Sequence, residues 1–265
     1  MKFQLKNIVT IVALALVFTS CSKDDDPILD TAPTGKGSLK LEFDNVYGDA
    51  NFAFGTEYTN SNGEKIKPNK LVYIISNIVL TNENGSSYTV PKSESYFFVN
   101  ESNVASTVIT IPNVPASNYT KVKFGIGVDQ AQFDAGASGQ GTLWETAGSP
   151  SLGMTWSWAA GYKFVKFEGT VTSATHLDAN FRVHTGKTGD VYNYAEATLV
   201  FPSKAIVRTT MSPQVHILAN LKTLIDGSTK INFEEGLDVM GGVKVQNIMA
   251  NNVPNMFAVD HVHND

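Results

Sequence analysis

The 265-residue chain contains a single cysteine, Cys21, and comparatively few charged and aromatic residues. One cysteine excludes an intramolecular disulfide, so we expect the folded part to be stabilised by a hydrophobic core. The formal net charge is −5 and no basic patch is present, which argues against binding to nucleic acid. After the N-terminal segment, no apolar run reaches the length of a membrane span.

The N-terminal segment has the features of a bacterial lipoprotein signal. Lys2 and Lys6 precede an apolar run, 8–18, that is too short to be a stable membrane span. Two small residues then precede Cys21, and this arrangement resembles a lipobox. We therefore predict a lipoprotein signal peptide over 1–20 and lipidation of Cys21, with ordinary secretion as the alternative.

A charged segment rich in Pro, Thr and Gly follows the cysteine. It cannot bury enough apolar surface to offset the entropy lost on ordering, so we predict a flexible tether over 21–36 and one folded domain over 37–265. A lysine followed by acidic residues directly after the lipidated cysteine is typical of proteins sent to the outer face of the cell. We expect an outer-membrane lipoprotein, on either the periplasmic or the cell-surface face.

The remainder of the chain has an all-β pattern. Apolar residues alternate with polar ones at period two, and Gly, Asn, Pro and Ser separate the runs. The predicted strands are 38–46, 70–82, 87–90, 95–100, 106–114, 119–129, 161–172, 180–186, 195–203 and 214–221. We predict an antiparallel two-sheet β-sandwich with Greek-key-like connections. Short helical segments are expected at 220–226 and 241–252.

A long segment without periodicity, 130–153, interrupts this pattern. A loop of this length inside a compact domain is usually functional or disordered. Phe133, Leu143 and Trp144 give it apolar anchors. We therefore expect the segment to be ordered.

The sequence lacks the common catalytic motifs. It contains no G-x-S-x-G elbow, no H-E-x-x-H zinc motif and no Walker sequence, and the glycines at 125 and 127 lack the third glycine of a dinucleotide site. These absences favour a binding protein over an enzyme.

Histidines supply the candidate metal ligands. His261 and His263 are two residues apart, so on a strand both imidazoles would point the same way, although fraying of a chain end is the competing interpretation. His216 and His184 lie in predicted strands. Either one alone is more often a hydrogen-bonded strand residue than a ligand.

Soft side chains are concentrated at alternate positions before one strand, in Met154, Trp156 and Trp158. Imidazole, thioether and indole together suit soft or borderline ions such as copper, whereas hard cations prefer oxygen. The competing interpretation is that these three side chains close one end of the sandwich.

At these residues the sequence resembles the MbnP-like family of copper-binding proteins, which is associated with methanobactin. The resemblance rests on three stretches in the central third of the chain: FGIGVDQ (124–130), MTWSWAAGYKFVKFEG (154–169), and Phe181-x-x-His184-x-Gly186.

The resemblance implies a β-sandwich that binds one copper ion as Cu(I), for storage or transfer, through two histidines and a tryptophan oxidised to kynurenine. It also implies a partner di-haem peroxidase-type enzyme that oxidises the tryptophan. The modified residue would be Trp156 or Trp158, and His184 is the first ligand candidate. Further ligand candidates are His216, Met154, His261 and His263.

Two other functions fit the same residues. A surface lipoprotein could bind glycan or protein through Trp144, Trp156 and Trp158 as stacking platforms. A purely structural envelope domain would have histidines that only make hydrogen bonds.

Overall fold

Strands dominate residues 33–265, the part of the chain that the computed structural model describes. In chain order they are β1 (Lys36–Tyr47), β2 (Ala50–Asn51), β3 (Tyr58–Thr59), β4 (Lys65–Asn82), β5 (Ser87–Thr89), β6 (Tyr96–Asn100), β7 (Val108–Pro115), β8 (Ser117–Ile126), β9 (Lys163–Thr172), β10 (Ala179–Gly186), β11 (Ala195–Val207), β12 (Gln214–Asn220), β13 (Asp238–Val239) and β14 (Phe257–His263). Cys21, the predicted signal peptide and most of the predicted tether lie outside the described residues.

The α-helices are few and short. They are α1 (Gln130–Asp134), α2 (Leu143–Ala147), α3 (Leu221–Asp226) and α4 (Gly242–Asn247), and a π-helical turn, Ile248–Asn252, continues α4. The helical segments predicted at 220–226 and 241–252 are therefore confirmed. Within residues 33–265 no helix combines the length and the apolar character that a membrane crossing requires.

The strands form two sheets. The first has the order β14-β12-β1-β2, with β7 also paired to β1; the second has the order β11-β8-β4-β9-β10-β13, with β3, β5 and β6 paired to β4. This confirms the predicted all-β sandwich. The expectation of purely antiparallel sheets was wrong at two places, because β1 pairs with β12 and β10 pairs with β13 in parallel. Parallel neighbours require a crossover connection, and β12 returns to the first sheet after β8, β9, β10 and β11 have joined the second.

Alternation along the strands places the apolar residues in the core. In β12, Val215 and Ile217 are fully buried while His216 lies on the other face and is half-buried. In the neighbouring β1, Leu41 and Phe43 are buried in the same way and Glu42 is on the outer face. Each fully buried large apolar side chain contributes roughly 1.5–3 kcal/mol, so this core is the main source of stability.

Strand β4 is irregular near Ser76 and Asn77, the two polar residues that interrupt its apolar run. Asn77 has a positive φ of 49°, and the pairing with β8 shifts register between Ser76 and Val79. The Asn77 side-chain amide donates to the Asp129 carboxylate at 3.0 Å. Asp129 directly precedes the long segment 130–153, so the irregular backbone at Asn77 helps to position the start of that segment.

The segment 130–153 is ordered, as expected. Asp129 is the N-cap of α1, where its carboxylate accepts a hydrogen bond from the backbone amide of Gln132. Phe133, Leu143 and Trp144 are partly buried and pack against the core. Sequence periodicity did not reveal α1 and α2, because each is only five residues long.

The C-terminal strand β14 was not among the predicted strands. It pairs with β12 from Gln214 opposite His263 to Ala219 opposite Phe257. Phe257 is buried and Val259 packs against the core, so apolar contacts attach this chain end to the first sheet. The residues 261 and 263 therefore belong to a paired strand and not to a frayed end.

Candidate metal centre

Three histidines meet on the outer face of the first sheet, and we call them the histidine cluster: His216 on β12 and His261 and His263 on β14. One potential ligand nitrogen from each lies within 4.8 Å of the other two. His216 and His261 are direct cross-strand partners, and their rings stack with centroids 4.1 Å apart.

A β-bulge brings the cluster together. The pairing of β12 with β14 places His216 opposite His261 but Ile217 opposite Val259, so Asp260 is an extra residue in β14. A bulge re-aims the side chains beside it. Here it allows Val259 to pair with Ile217 and His261 to pair with His216, although Val259 and His261 are two positions apart in sequence and their partners are consecutive. The side chain of His261 therefore lies beside that of His216.

One distance within the cluster is that of two ligands to a single ion. The Nε2 atoms of His261 and His263 are 2.9 Å apart. Two nitrogens that each lie about 2.0 Å from one metal ion are about 2.8 Å apart at a right angle and about 4 Å apart when the three atoms are in line. The ring of His263 is perpendicular to that of His261, with centroids 4.5 Å apart, so the two imidazoles converge edge-on instead of stacking face to face.

Carboxylates and an amide surround the imidazoles. The Nδ1 atom of His261 is 2.7 Å from Asp260 Oδ2, and the Nε2 atom of His216 is 3.0 Å from Glu42 Oε2. Gln214 donates a hydrogen bond to the same Glu42 oxygen. Hydrogen bonds from the second nitrogen of a metal-binding imidazole fix its tautomer and its orientation, as Asp260 can do for His261.

The fourth histidine of interest, His184, lies elsewhere. It is on β10 in the second sheet, its side chain is only 6% exposed, and its Nε2 atom is 2.6 Å from Glu168 Oε1. Its Nδ1 atom is buried and has no hydrogen-bond partner among the described residues. With the proton on Nε2 and donated to Glu168, Nδ1 carries a free lone pair.

Burial also sets the charge state of this region. Desolvation lowers the pKa of His184, and although Glu168 opposes that effect, Lys163 and Lys166 add to it. Burial likewise lowers the pKa of both lysines. His184 is therefore neutral near pH 7, as a metal ligand must be.

Trp156 is the indole next to His184. The ring centroids are 6.3 Å apart, and the ammonium group of Lys163 lies 5.7 Å from the indole centroid. The structure therefore brings together two of the predicted ligand candidates, Trp156 and His184. They lie at the second sheet, whereas the histidine cluster is on the first. Sequence reasoning had treated His184 and His216 as ligands of one site.

The other two soft side chains pack against neighbouring residues. Met154 is fully buried in the core. Trp158 stacks on Phe133 with centroids 5.1 Å apart and meets the edge of Trp144 at 4.9 Å. A ring already stacked on a neighbour has less face available for a glycan, which makes an aromatic binding platform at Trp144 and Trp158 a poorer fit.

Comparison with known proteins identifies the family. The family model MbnP matches residues 36–247. The chain belongs to the MbnP family. The stretch matched to MbnP contains Trp156, His184 and His216 but ends before His261 and His263, so two of the three residues of the histidine cluster lie outside it.

A solved structure supports the same fold. The chain is similar to MbnP from Methylosinus trichosporium, with a TM-score of 0.50 and 13% sequence identity, over 87% of this chain and 99% of that one. At this identity the likeness concerns the fold alone. No curated protein sequence matches the chain significantly. Membership of the MbnP family associates the chain with methanobactin and with copper-related function.

Three acidic residues of the two histidine sites were missed by sequence reasoning: Glu42, Asp260 and Glu168. Alternation in LKLEF does put Glu42 on the outer face, opposite the buried Leu41 and Phe43. Nothing in the sequence states that β12 is its neighbour, because that pairing joins segments far apart in the chain.

Proposed function

We propose that this MbnP-family protein binds a copper ion at the histidine cluster and holds it for storage or transfer, without catalytic turnover. The observation that carries the proposal is the convergence of three imidazoles, His216, His261 and His263, with ligand nitrogens within 4.8 Å of one another. The copper-related character of the family supports the choice of metal.

The donor set suits copper. Imidazole binds copper readily, and in the series of divalent first-row ions copper forms the most stable complexes with nitrogen ligands. Three imidazoles without a thiolate can also hold Cu(I), the state that the family resemblance suggests. His261 is 43% exposed, so the ion would remain accessible to a donor or acceptor.

A titration with single-histidine variants tests the proposal. Copper affinity is measured by competition with a chromophoric chelator, for the wild type and for His216→Ala, His261→Ala and His263→Ala. We expect each variant to lose at least about tenfold in affinity, since even partners outside the coordination sphere contribute 10–100-fold. His176→Ala, in the turn that follows β9, is the matched control and should bind as the wild type does. Equal affinity in all five proteins would refute the proposal.

The pair formed by Trp156 and His184 is a second candidate position. The unpartnered Nδ1 of His184 and its neighbouring indole support it. We propose that copper binding there requires oxidation of Trp156 to kynurenine by a di-haem peroxidase-type partner, with hydrogen peroxide as the oxidant and the indole C2 carbon released as formate. An aryl amine and ketone ligate metal more readily than an indole. Intact mass of the natively expressed protein, together with copper affinity of His184→Ala, tests this position; an unmodified mass and an unchanged affinity would exclude it.

We also propose that the protein is an outer-membrane lipoprotein anchored through Cys21. The support is the N-terminal sequence: a basic segment, a short apolar run, small residues and one cysteine. Metabolic labelling with a fatty acid should mark the wild type and not Cys21→Ser. Equal labelling of both, or of neither, would contradict the anchor.

A further inference from the structure

Glu42 shares one row of the first sheet with the histidine cluster. It is opposite His216 in the parallel pair β1–β12, and His216 is opposite His261 in the antiparallel pair β12–β14. Side chains of paired residues on adjacent strands project from the same face. The three side chains therefore line up across three neighbouring strands, with the carboxylate at one end.

We propose that Glu42 is a fourth ligand that binds copper only in the cupric state. Cu(II) would then be held by the three imidazoles and the Glu42 carboxylate, and Cu(I) by the imidazoles alone. The inference rests on the proposed function, since it assigns the oxidation states and a further ligand of the same site.

The distance from Glu42 to His216 favours a ligand role. Glu42 Oε2 is 3.0 Å from His216 Nε2, close to the 2.9 Å that separates the Nε2 atoms of His261 and His263. Ligand atoms about 2.0–2.1 Å from one ion are about 2.9 Å apart when the angle between them is near 90°. Right angles between nitrogen and oxygen ligands are typical of tetragonal Cu(II).

The chemistry of the donors explains why the carboxylate would respond to oxidation state. Carboxylate is a hard, charged oxygen ligand and stabilises the doubly charged ion, whereas Cu(I) prefers softer ligands. The amide of Gln214 donates to the same Glu42 oxygen, and the Glu42 side chain is only partly exposed, so the carboxylate is held beside His216 without a metal. It lies outside the group of ligand atoms within 4.8 Å of one another, so its side chain would turn toward the ion on binding Cu(II).

Glu42 could instead act only as a hydrogen-bond acceptor that orients His216. That role predicts a different result, because a misplaced imidazole would weaken the binding of both oxidation states by a similar factor. The two roles are therefore separated by comparing the affinities for Cu(II) and Cu(I) in the same variant.

The test uses Glu42→Gln, which keeps the size and hydrogen-bonding capacity of the side chain and removes its charge. Cu(II) affinity is measured aerobically and Cu(I) affinity anaerobically, each against a competing chelator, and the Cu(II) protein is examined by electron paramagnetic resonance. We expect Cu(II) affinity to fall about 100-fold and Cu(I) affinity to change less than about threefold, with altered cupric g and hyperfine values. Glu57→Gln is the control, because Glu57 is an exposed carboxylate that pairs with Lys65 and Lys67 instead of histidine.

A parallel loss in both states, or no loss in either, would overturn the role of Glu42. Glu42→Asp retains the charge on a shorter side chain and should recover part of the Cu(II) affinity; recovery to no more than the Glu42→Gln level would also count against it. Failure of the proposed function has a different signature, because His261→Ala would then bind both states as tightly as the wild type.

Discussion

Copper should stabilise the folded protein, and His261→Ala should remove most of that stabilisation. His261 contacts both other histidines of the cluster: its ring stacks on that of His216 with centroids 4.1 Å apart, and its Nε2 atom is 2.9 Å from the Nε2 atom of His263. A ligand that binds only the folded state adds about 2.7 kcal/mol of unfolding free energy at a free concentration about 100 times its Kd. For a domain the size of residues 33–265, this raises Tm by about 5–11 °C.

The variant should respond much less at the same copper concentration. If loss of one imidazole lowers the affinity about 100-fold, the remaining stabilisation is about 0.4 kcal/mol, which corresponds to a Tm increase of about 1–2 °C. The metal-free variant should unfold within a few degrees of the wild type, because His261 is 43% exposed and substitutions at such surface positions usually change stability by less than about 0.5 kcal/mol.

Thermal unfolding followed by circular dichroism, with and without copper, measures both quantities. His176→Ala provides the control, and it should show the full copper-dependent increase. If His261→Ala gains as much in Tm as the wild type, copper stabilises the protein from another position and the reasoning about the cluster fails.

Three further predictions concern the scaffold and the second histidine site. Hydrogen bonds from Asn77, Lys92 and Tyr96 outweigh the opposing effect of burial and lower the pKa of Asp129 to about 2 from its usual 3.8. Their contribution of about 2 kcal/mol is complete above pH 3.8 and is lost as the pH falls through 2, so Asp129→Asn should lower the urea-unfolding free energy by about that amount at pH 7; an unchanged value would contradict it. Burial depresses the pKa of His184, so its contribution is complete above the usual pKa of about 6.5 and is lost as the pH falls through the lower folded-state pKa. Urea unfolding between pH 7.5 and about 5 should therefore show a smaller pH dependence in His184→Gln than in the wild type, and equal slopes would refute this. Met154→Ala leaves a cavity in the core and should cost about 2–5 kcal/mol in the same assay; a loss below about 1 kcal/mol would indicate that the core collapses around the site.

The fold was largely predictable because its strands alternate clearly. In β12 the buried Val215 and Ile217 flank the outward His216, and the break at Asn77 in β4 was visible in the polar residues that interrupt an apolar run. The parallel pairs were not predictable, since they depend on which sheet a strand joins after a crossover. The C-terminal strand β14 was missed because its apolar residues do not alternate regularly around the bulge at Asp260.

The candidate site was predictable in its members but not in its grouping. The spacing of His261 and His263 indicated that they share a face on a strand, and His216 was placed in a predicted strand. Their meeting depends on the antiparallel pairing of β12 with β14, a contact between distant segments that local pattern does not encode. The same limit explains why His184 was grouped with them, although it lies in the other sheet beside Trp156.

The central claim is that copper binds among His216, His261 and His263. Diffraction data from a crystal of the copper-loaded protein, collected on both sides of the copper absorption edge, would locate the ion directly. The account predicts one strong anomalous peak within about 2.0–2.1 Å of a nitrogen from each of the three imidazoles. A peak beside His184 and Trp156 instead, or no peak within reach of the cluster, would contradict it.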